Sequence, residues 1–216
     1  MAYAFFDMDG TLIDADSNEL FFNYLQEKGI VDHTFIEPLD EFQRLYYEGT
    51  LKIDDFIAYA VKPMLQFNKP KRDEIISDFI ANKLYKVVKK GAFEALSFHQ
   101  ERGDEIYIVS ATVDYIVKGL ADALKIPNVI AAPIKVNESG FLENKLLEEV
   151  PYQKHKVTRI YKMLGQDLSL LKDSYAYGDS INDKEMLLIC EHRIGVDATA
   201  ELINADIEDL KLTSWK

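Results

Sequence analysis

The stretch Phe5-Phe6-Asp7-Met8-Asp9-Gly10-Thr11-Leu12 is answered far downstream by Tyr177-Gly178-Asp179-Ser180-Ile181-Asn182-Asp183. Each acidic cluster follows an apolar run and carries a glycine, the pattern of a buried strand that ends in a tight loop. Carboxylates gathered at strand ends can hold a hard divalent cation, which takes oxygen ligands and leaves room for waters and a substrate phosphate. With one of those aspartates as nucleophile, the set reads as phosphoryl transfer through an aspartyl-phosphate.

The rhythm of the chain around these clusters predicts the fold. Between about residues 16 and 90 only helical patterns occur. Asp16 or Ser17 caps a helix carrying Leu20, Phe21, Tyr24 and Leu25, and Gly29 stops it. Phe35, Ile36, Leu39, Phe42, Leu45 and Tyr46 form a second pattern, broken at Pro38. A third covers Phe56, Ile57, Ala60 and Val61. Lys71 to Lys90 reads as one long helix with Ile75, Ile76, Phe79, Ile80, Leu84, Val87 and Val88 on one face. After Gly91 strands and helices alternate. Strands are expected from Glu105 to Val109 and Asn128 to Ala132, and again from Ser174 to Tyr177 and Arg193 to Val196, with a helix from Asn182 to Cys190. Residues 134–136 and 141–143 read as a hairpin. Alternation at this spacing predicts an α/β fold with a doubly wound parallel sheet. Ligands of such sheets bind outside the carboxyl ends of the strands, where Asp7, Ser110 and Asp179 fall.

Each candidate residue also has a plainer reading. Asp7 and Asp9 can serve as nucleophile and proton carrier, or as an ordinary Asp-Gly turn. Ser110, with Ala111 and Thr112, can bind phosphoryl oxygens or cap the next helix. Lys156 can neutralise a phosphorylated aspartate or lie in solvent, and Lys154 competes for the same role. Ser180 and Asp183 match a capping box, which leaves Asp179 free to face a metal. Their joint occurrence, in this order on this frame, favours the chemical reading.

Composition narrows the field. The 216 residues are 48% hydrophobic and 29% charged, as in a globular protein of one or two domains, and carry a formal charge of −12. Binding of nucleic acid or an anionic membrane by bulk charge is therefore not expected. Cys190 is the single cysteine, so no internal disulfide forms, and it reads as a small buried hydrophobe. The N-terminus lacks a basic region and no apolar run nears the roughly 20 residues of a membrane span. The cytoplasm is the expected compartment. The four histidines form no pattern that would hold zinc.

Taken together the motifs resemble those of the haloacid dehalogenase-like superfamily, in particular its phosphoserine-phosphatase-like branch. Phe6 to Leu12 is similar to the first family motif, Val109-Ser110-Ala111-Thr112 to the second, Lys156 to the third and Gly178 to Asp183 to the fourth. The resemblance implies a Rossmann-like catalytic core over residues 1–15 and 91–216, with a small all-helical cap domain over 16–90, inserted after the first strand. It implies that Asp7 is the nucleophile and Asp9 the general acid/base. It places Mg²⁺ on Asp7, Asp179 and the Asp9 carbonyl, with Asp183 in support, and assigns Ser110, Ala111 and Lys156 to the phosphoryl group. Dehalogenases and phosphonate hydrolases of the superfamily lack an aspartate at the position of Asp9, so a phosphatase acting on a small phosphorylated metabolite is implied.

In phosphoserine phosphatases an acidic residue just after the first motif meets the substrate amine, and a cap arginine meets its carboxylate. Asp16 stands at the corresponding place, with Glu19 nearby, but Arg44 and Arg72 lack the context of that clamp. Ser-Ala-Thr also replaces the usual Ser-Gly-Gly of the second motif. Phosphoserine is thus second to some other phosphomonoester. A phosphotransferase, or a regulatory protein that binds phosphate esters without turnover, are the further alternatives.

Overall fold

The opening apolar run forms β1 (Tyr3–Phe6), and Ala4, Phe5 and Phe6 are all fully buried. The computed structural model describes residues 2–47 and 50–216, with only the backbone of residues 43, 46 and 47; the side chain of Tyr46 therefore lies outside the described set. The strands that follow are β2 (Glu105–Val113), β3 (Asn128–Ala132), β4 (Ile134–Val136), β5 (Leu142–Leu146), β6 (Tyr175–Gly178), β7 (His192–Val196) and β8 (Leu210–Thr213). Six of them make a parallel sheet in the order β3-β2-β1-β6-β7-β8, and β4 and β5 form the expected antiparallel hairpin. The chain leaves β1 in one direction to build β2 and β3, then returns to β1's other side for β6. That reversal beside β1 is the topological switch point at which such sheets bind ligands.

Register does the rest. Phe6 lies opposite Ile108 on one side and Tyr177 on the other, and the Asp7 amide donates to the Tyr177 carbonyl at 2.9 Å. Asp7 and Asp179 consequently leave the sheet at one end, beside Ser110 of β2. Alternation along β1 sends its neighbours to opposite faces: Phe5 packs with Ile160, Met186 and Leu187, and Phe6 with Ala92, Leu96 and Trp215. Helices on both faces explain why the inner strands are apolar throughout rather than alternating.

The helices in chain order are α1 (Ser17–Glu27), α2 (His33–Ile36), α3 (Leu39–Tyr47), α4 (Ile53–Ala60), α5 (Lys69–Asn82), α6 (Lys90–Arg102), α7 (Asp114–Leu124), α8 (Lys154–Met163), α9 (Lys184–Leu188) and α10 (Ala200–Ile203). Among the described residues, no strand occurs between α1 and α5. The insert has an aromatic centre, with Phe79 against Phe21 at 4.9 Å and Tyr24 at 5.4 Å between ring centroids. α5 lies along α7 so closely that a Cβ on Gly119 would meet Ile80 Cγ1 at 3.0 Å. The two crossings between insert and sheet are bonded to each other. Ile13 bridges to Val88, the Asp14 amide donates to Val87 at 2.8 Å, and the Lys89 amide to Leu12 at 2.9 Å. None of the described helices is long and apolar enough to cross a membrane.

Four expectations need correction. The long helix from Lys71 to Lys90 ends at Asn82, and residues 84–87 form a single 3₁₀ turn. Its apolar spacing continues, but the chain must straighten so that Val88 can pair with Ile13. The helix from Asn182 is a 3₁₀ turn over Ile181–Asp183 followed by only five α-helical residues, because the Asp183 side chain folds back onto the Asp179 and Ser180 amides. Ser110 does not end β2, which runs on irregularly to Val113, and Val113 rather than Ser110 precedes α7. β8 and α10 were not anticipated: β8 is an edge strand with little of its surface buried, so it carries only a faint pattern.

One buried polar group braces the sheet. The His99 ring lies between Asp104 Oδ2 at 2.9 Å and the Tyr177 hydroxyl at 2.8 Å, and is fully buried. Burial holds the imidazole below its usual range in spite of Asp104. Burial opposes the Asp104 charge as well, yet bonds from His99, Arg102 and the Ala2 amide leave that carboxyl below its ordinary value. Both shifts favour the charge states present at neutral pH, so both contributions are complete there and are lost on acidification, that of His99 from about pH 6.5 downward. Thermal unfolding is expected to show Tm falling from about pH 7 to about pH 5, with a shallower fall in His99→Gln. Equal slopes in the two proteins would remove His99 as a source.

Candidate active site

Asp7 follows β1 directly, and its carboxylate is nearly buried. Lys156, on the first turn of α8, reaches it: Nζ donates to Asp7 Oδ1 and to Asp183 Oδ1, each at 2.5 Å. The lysine is only 3% exposed, so its charge has left water for two carboxylates. Burial opposes that charge, but Asp183 and Asp7 outweigh it and hold the ammonium protonated well beyond its ordinary range. Lys154, two residues earlier, is exposed. The choice between the two lysines follows from helix geometry, since residues two apart do not share a face.

Asp179 lies across from Asp7 beyond β6. Its Oδ1 accepts from the buried Thr11 hydroxyl at 3.3 Å, and its carbonyl from the Thr199 amide at 2.8 Å. Asp183 accepts through Oδ2 from the Asp179 and Ser180 amides, both at 3.2 Å. The capping role and the charged role therefore coexist, one on each oxygen of Asp183. Gly10 closes the arrangement: its φ is +75°, and a Cβ there would lie 2.4 Å from Asp179 Oδ2. No other residue fits.

Ligand atoms of Asp7, Asp179 and Asp183 all lie within 4.8 Å of one another. One ammonium cannot neutralise so many carboxylates. Burial, and then the charge of Asp183, push Asp7 up despite Lys156, and the same two causes raise Asp179 to about 7. An all-oxygen, anionic pocket with surplus negative charge fits a hard divalent cation.

Asp9 is held apart from this group. Its Oδ1 accepts from the Ser17 amide at 2.6 Å and its Oδ2 from the Thr112 hydroxyl at 3.1 Å. Burial first, and Asp16 second, raise its carboxyl to about 7, against the two hydrogen bonds. A carboxyl near that value can give and take a proton at neutral pH. Ser110, almost fully buried, accepts the Thr112 amide at 3.1 Å, and half-buried Ala111 lies between them. Asp16 is the exposed N-cap of α1, with Oδ1 on the Asn18 and Glu19 amides, and Glu19 is exposed on the first turn. Arg44 pairs with Glu41 at the surface, whereas Arg72 is buried and donates to the Gly140 carbonyl at 3.2 Å.

Two further residues, Ser17 and Lys89, bear on the site. Ser17 reads as a helix cap, yet it is its amide that binds Asp9. Lys89 carries no local signal at all.

Residues 4–188 match the haloacid dehalogenase-like hydrolase family. The chain is a haloacid dehalogenase-like hydrolase. It is 29% identical over 203 residues to a histidinol-phosphatase of Neisseria meningitidis serogroup C (strain 8013), covering 92% of this hydrolase and 91% of that protein. A protein of unknown function from Bordetella pertussis Tohama I superposes with a TM-score of 0.89 at 19% identity, each chain covered in full. A phosphoserine phosphatase solved as a phospho-aspartyl intermediate analogue superposes with a TM-score of 0.64 at 20% identity, over 100% of this chain and 93% of the other. The fold is that of the phosphoserine-phosphatase-like branch.

The lysine bridge has a measurable weight. Lys156→Met, which strands two buried carboxylates, is expected to cost about 3–5 kcal/mol in urea unfolding. Asp179→Asn removes one charge from a crowded set and is expected to stabilise the protein when metal is chelated. A Lys156→Met protein as stable as wild type, or an Asp179→Asn protein less stable than it, would contradict the charge balance given above.

Proposed function

We propose that this hydrolase is a Mg²⁺-dependent phosphomonoesterase that cleaves a small phosphorylated metabolite in the cytoplasm through an aspartyl-phosphate. The observation that carries this reading is the division of labour between two aspartates. Asp7 is held by an ammonium at the sheet edge, and Asp9, two residues on, is hydrogen-bonded elsewhere and lies near neutrality.

In this reading an Asp7 oxygen attacks phosphorus while protonated Asp9 gives its proton to the departing alcohol oxygen. Asp9, now ionised, takes a proton from the water that attacks the phospho-aspartate, and Asp7 is released as carboxylate with inorganic phosphate. Lys156, the Ser110 hydroxyl and the Ala111 amide hold the phosphoryl oxygens as charge develops on them. Mg²⁺ would be held by Asp7, Asp179 and the Asp9 carbonyl, supported by Asp183, and would supply the positive charge those carboxylates lack.

The helices of residues 16–90 act as a cap over this edge. Such a cap excludes bulk water and supplies contacts to the alcohol part of the substrate. Asp16 and Glu19, both acidic and exposed at the start of α1, suit a substrate that carries an ammonium group. Histidinol phosphate has one, and the Neisseria relative named for that ester spans nearly the whole chain. Phosphoserine ranks second, because Arg44 is engaged with Glu41 at the surface and Arg72 with a backbone carbonyl.

Phosphate release from a panel of phosphomonoesters, with Mg²⁺ and with chelator, tests this directly. Mg²⁺-dependent turnover is expected, highest for histidinol phosphate, and Asp7→Asn is expected to lower it by about 10³-fold or more in a folded protein. Appreciable turnover in that variant would end the aspartyl-phosphate mechanism. Indifference to Mg²⁺ would end the metal assignment.

A further inference from the structure

Lys89 belongs to none of the motifs, yet its side chain is 2% exposed and fully engaged. Its ammonium donates to the Gly10 carbonyl and, at 2.8 Å, to Asp197 Oδ2. Asp197 is itself fixed from three sides. Its Oδ1 accepts from the Ser214 hydroxyl at 2.6 Å and its Oδ2 from the Trp215 amide at 3.3 Å, while its own amide donates to the Thr213 carbonyl at 2.9 Å. It holds a φ of +44°, a left-handed conformation that aspartate tolerates better than most residues other than glycine.

Lys89 also grips the catalytic loop twice. Its side chain takes the Gly10 carbonyl and its amide takes the Leu12 carbonyl at 2.9 Å. The Gly10 carbonyl belongs to the peptide leading into Thr11, whose hydroxyl holds Asp179. Gly10 has no side chain to fix that peptide and no space for one, so its orientation comes from outside. A buried ion pair contributes little net stability compared with apolar residues of the same volume. Orientation is what this pair adds.

We infer that the Lys89–Asp197 pair is the positioning device of the nucleophile loop, setting the Gly10 peptide and through it the spacing of Asp9 and Asp179. Lys89 is a positioning residue, since it touches Gly10 and not the reacting atoms. The inference rests on the phosphatase reading for its kinetic consequence alone. Lys89 lies in the crossing that returns from the insert, so the same contact ties the loop to the hinge of that insert.

The test compares wild type with Lys89→Met and with Lys89→Met/Asp197→Asn. The single variant leaves Asp197 buried and unpaired and is expected to lose stability; the double variant removes that charge and is expected to recover most of the unfolding midpoint. If the pair positions the loop, the recovered double variant still hydrolyses p-nitrophenyl phosphate with kcat down by about 10²-fold and KM little changed. Its amides over residues 8–14 also exchange faster than in wild type, while those of β2 and β6 do not. Wild-type kcat together with wild-type exchange in the double variant would reduce the pair to a packing element. If wild type itself releases no phosphate, the phosphatase reading fails first. Exchange over residues 8–14 then decides the positioning role alone, and unchanged protection overturns it.

Discussion

Everything at the sheet edge is arranged around the ammonium of Lys156. Without it, Asp7 and Asp183 could not both be ionised a few ångströms apart under near-complete burial, because each charge would lose its hydration with nothing in return. The lysine comes from α8, Asp7 from the end of β1 and Asp183 from the 3₁₀ turn that follows β6, so the bridge fastens a helix to the chain leaving the two central strands. It also leaves the site short of positive charge, since among the described residues Asp179 forms no salt bridge and feels Lys156 and Lys89 only from a distance. A pocket that is part-neutralised in this way keeps the surplus negative charge and oxygen atoms that suit a hard divalent cation.

The second constraint is separation. Asp9 shares a loop with Asp7, yet its hydrogen bonds run to Ser17 and Thr112, away from Lys156. Two carboxylates of like sequence surroundings thereby acquire different electrostatic company. One is fixed beside a cation, the other is held by an amide and a hydroxyl. The amide of Ser17 is the first of α1, so Asp9 is held by the same helix that opens the insert.

Much of this was legible in the chain. Asp7, Asp9, Asp179 and Asp183 stand out because acidic residues directly after apolar runs are unusual, and β1, β3 and β6 fall within a residue of where those runs lie. Lys156 was legible only through the company it keeps, for a lysine on a helix looks alike whether it meets water or a carboxylate. Contacts between distant segments left no trace. Lys89, Asp197 and the short edge strand β8 depend on neighbours more than a hundred residues away or on a few half-exposed positions. The early end of α5 was hidden for the opposite reason: its apolar spacing persists after the backbone has turned to meet Ile13. Local pattern gives the type of an element, and tertiary pairing decides where it stops.

The bridge between Ile13 and Val88 has a consequence of another kind. The insert enters and leaves the sheet at one point, so the sheet's geometry is independent of how many residues lie between the two crossings. Room for change in length lies in the stretch between α1 and α5, since α1 holds Asp9 and α5 packs on α7. The neck, and not the amount of chain that hangs from it, fixes where the two crossings meet the sheet.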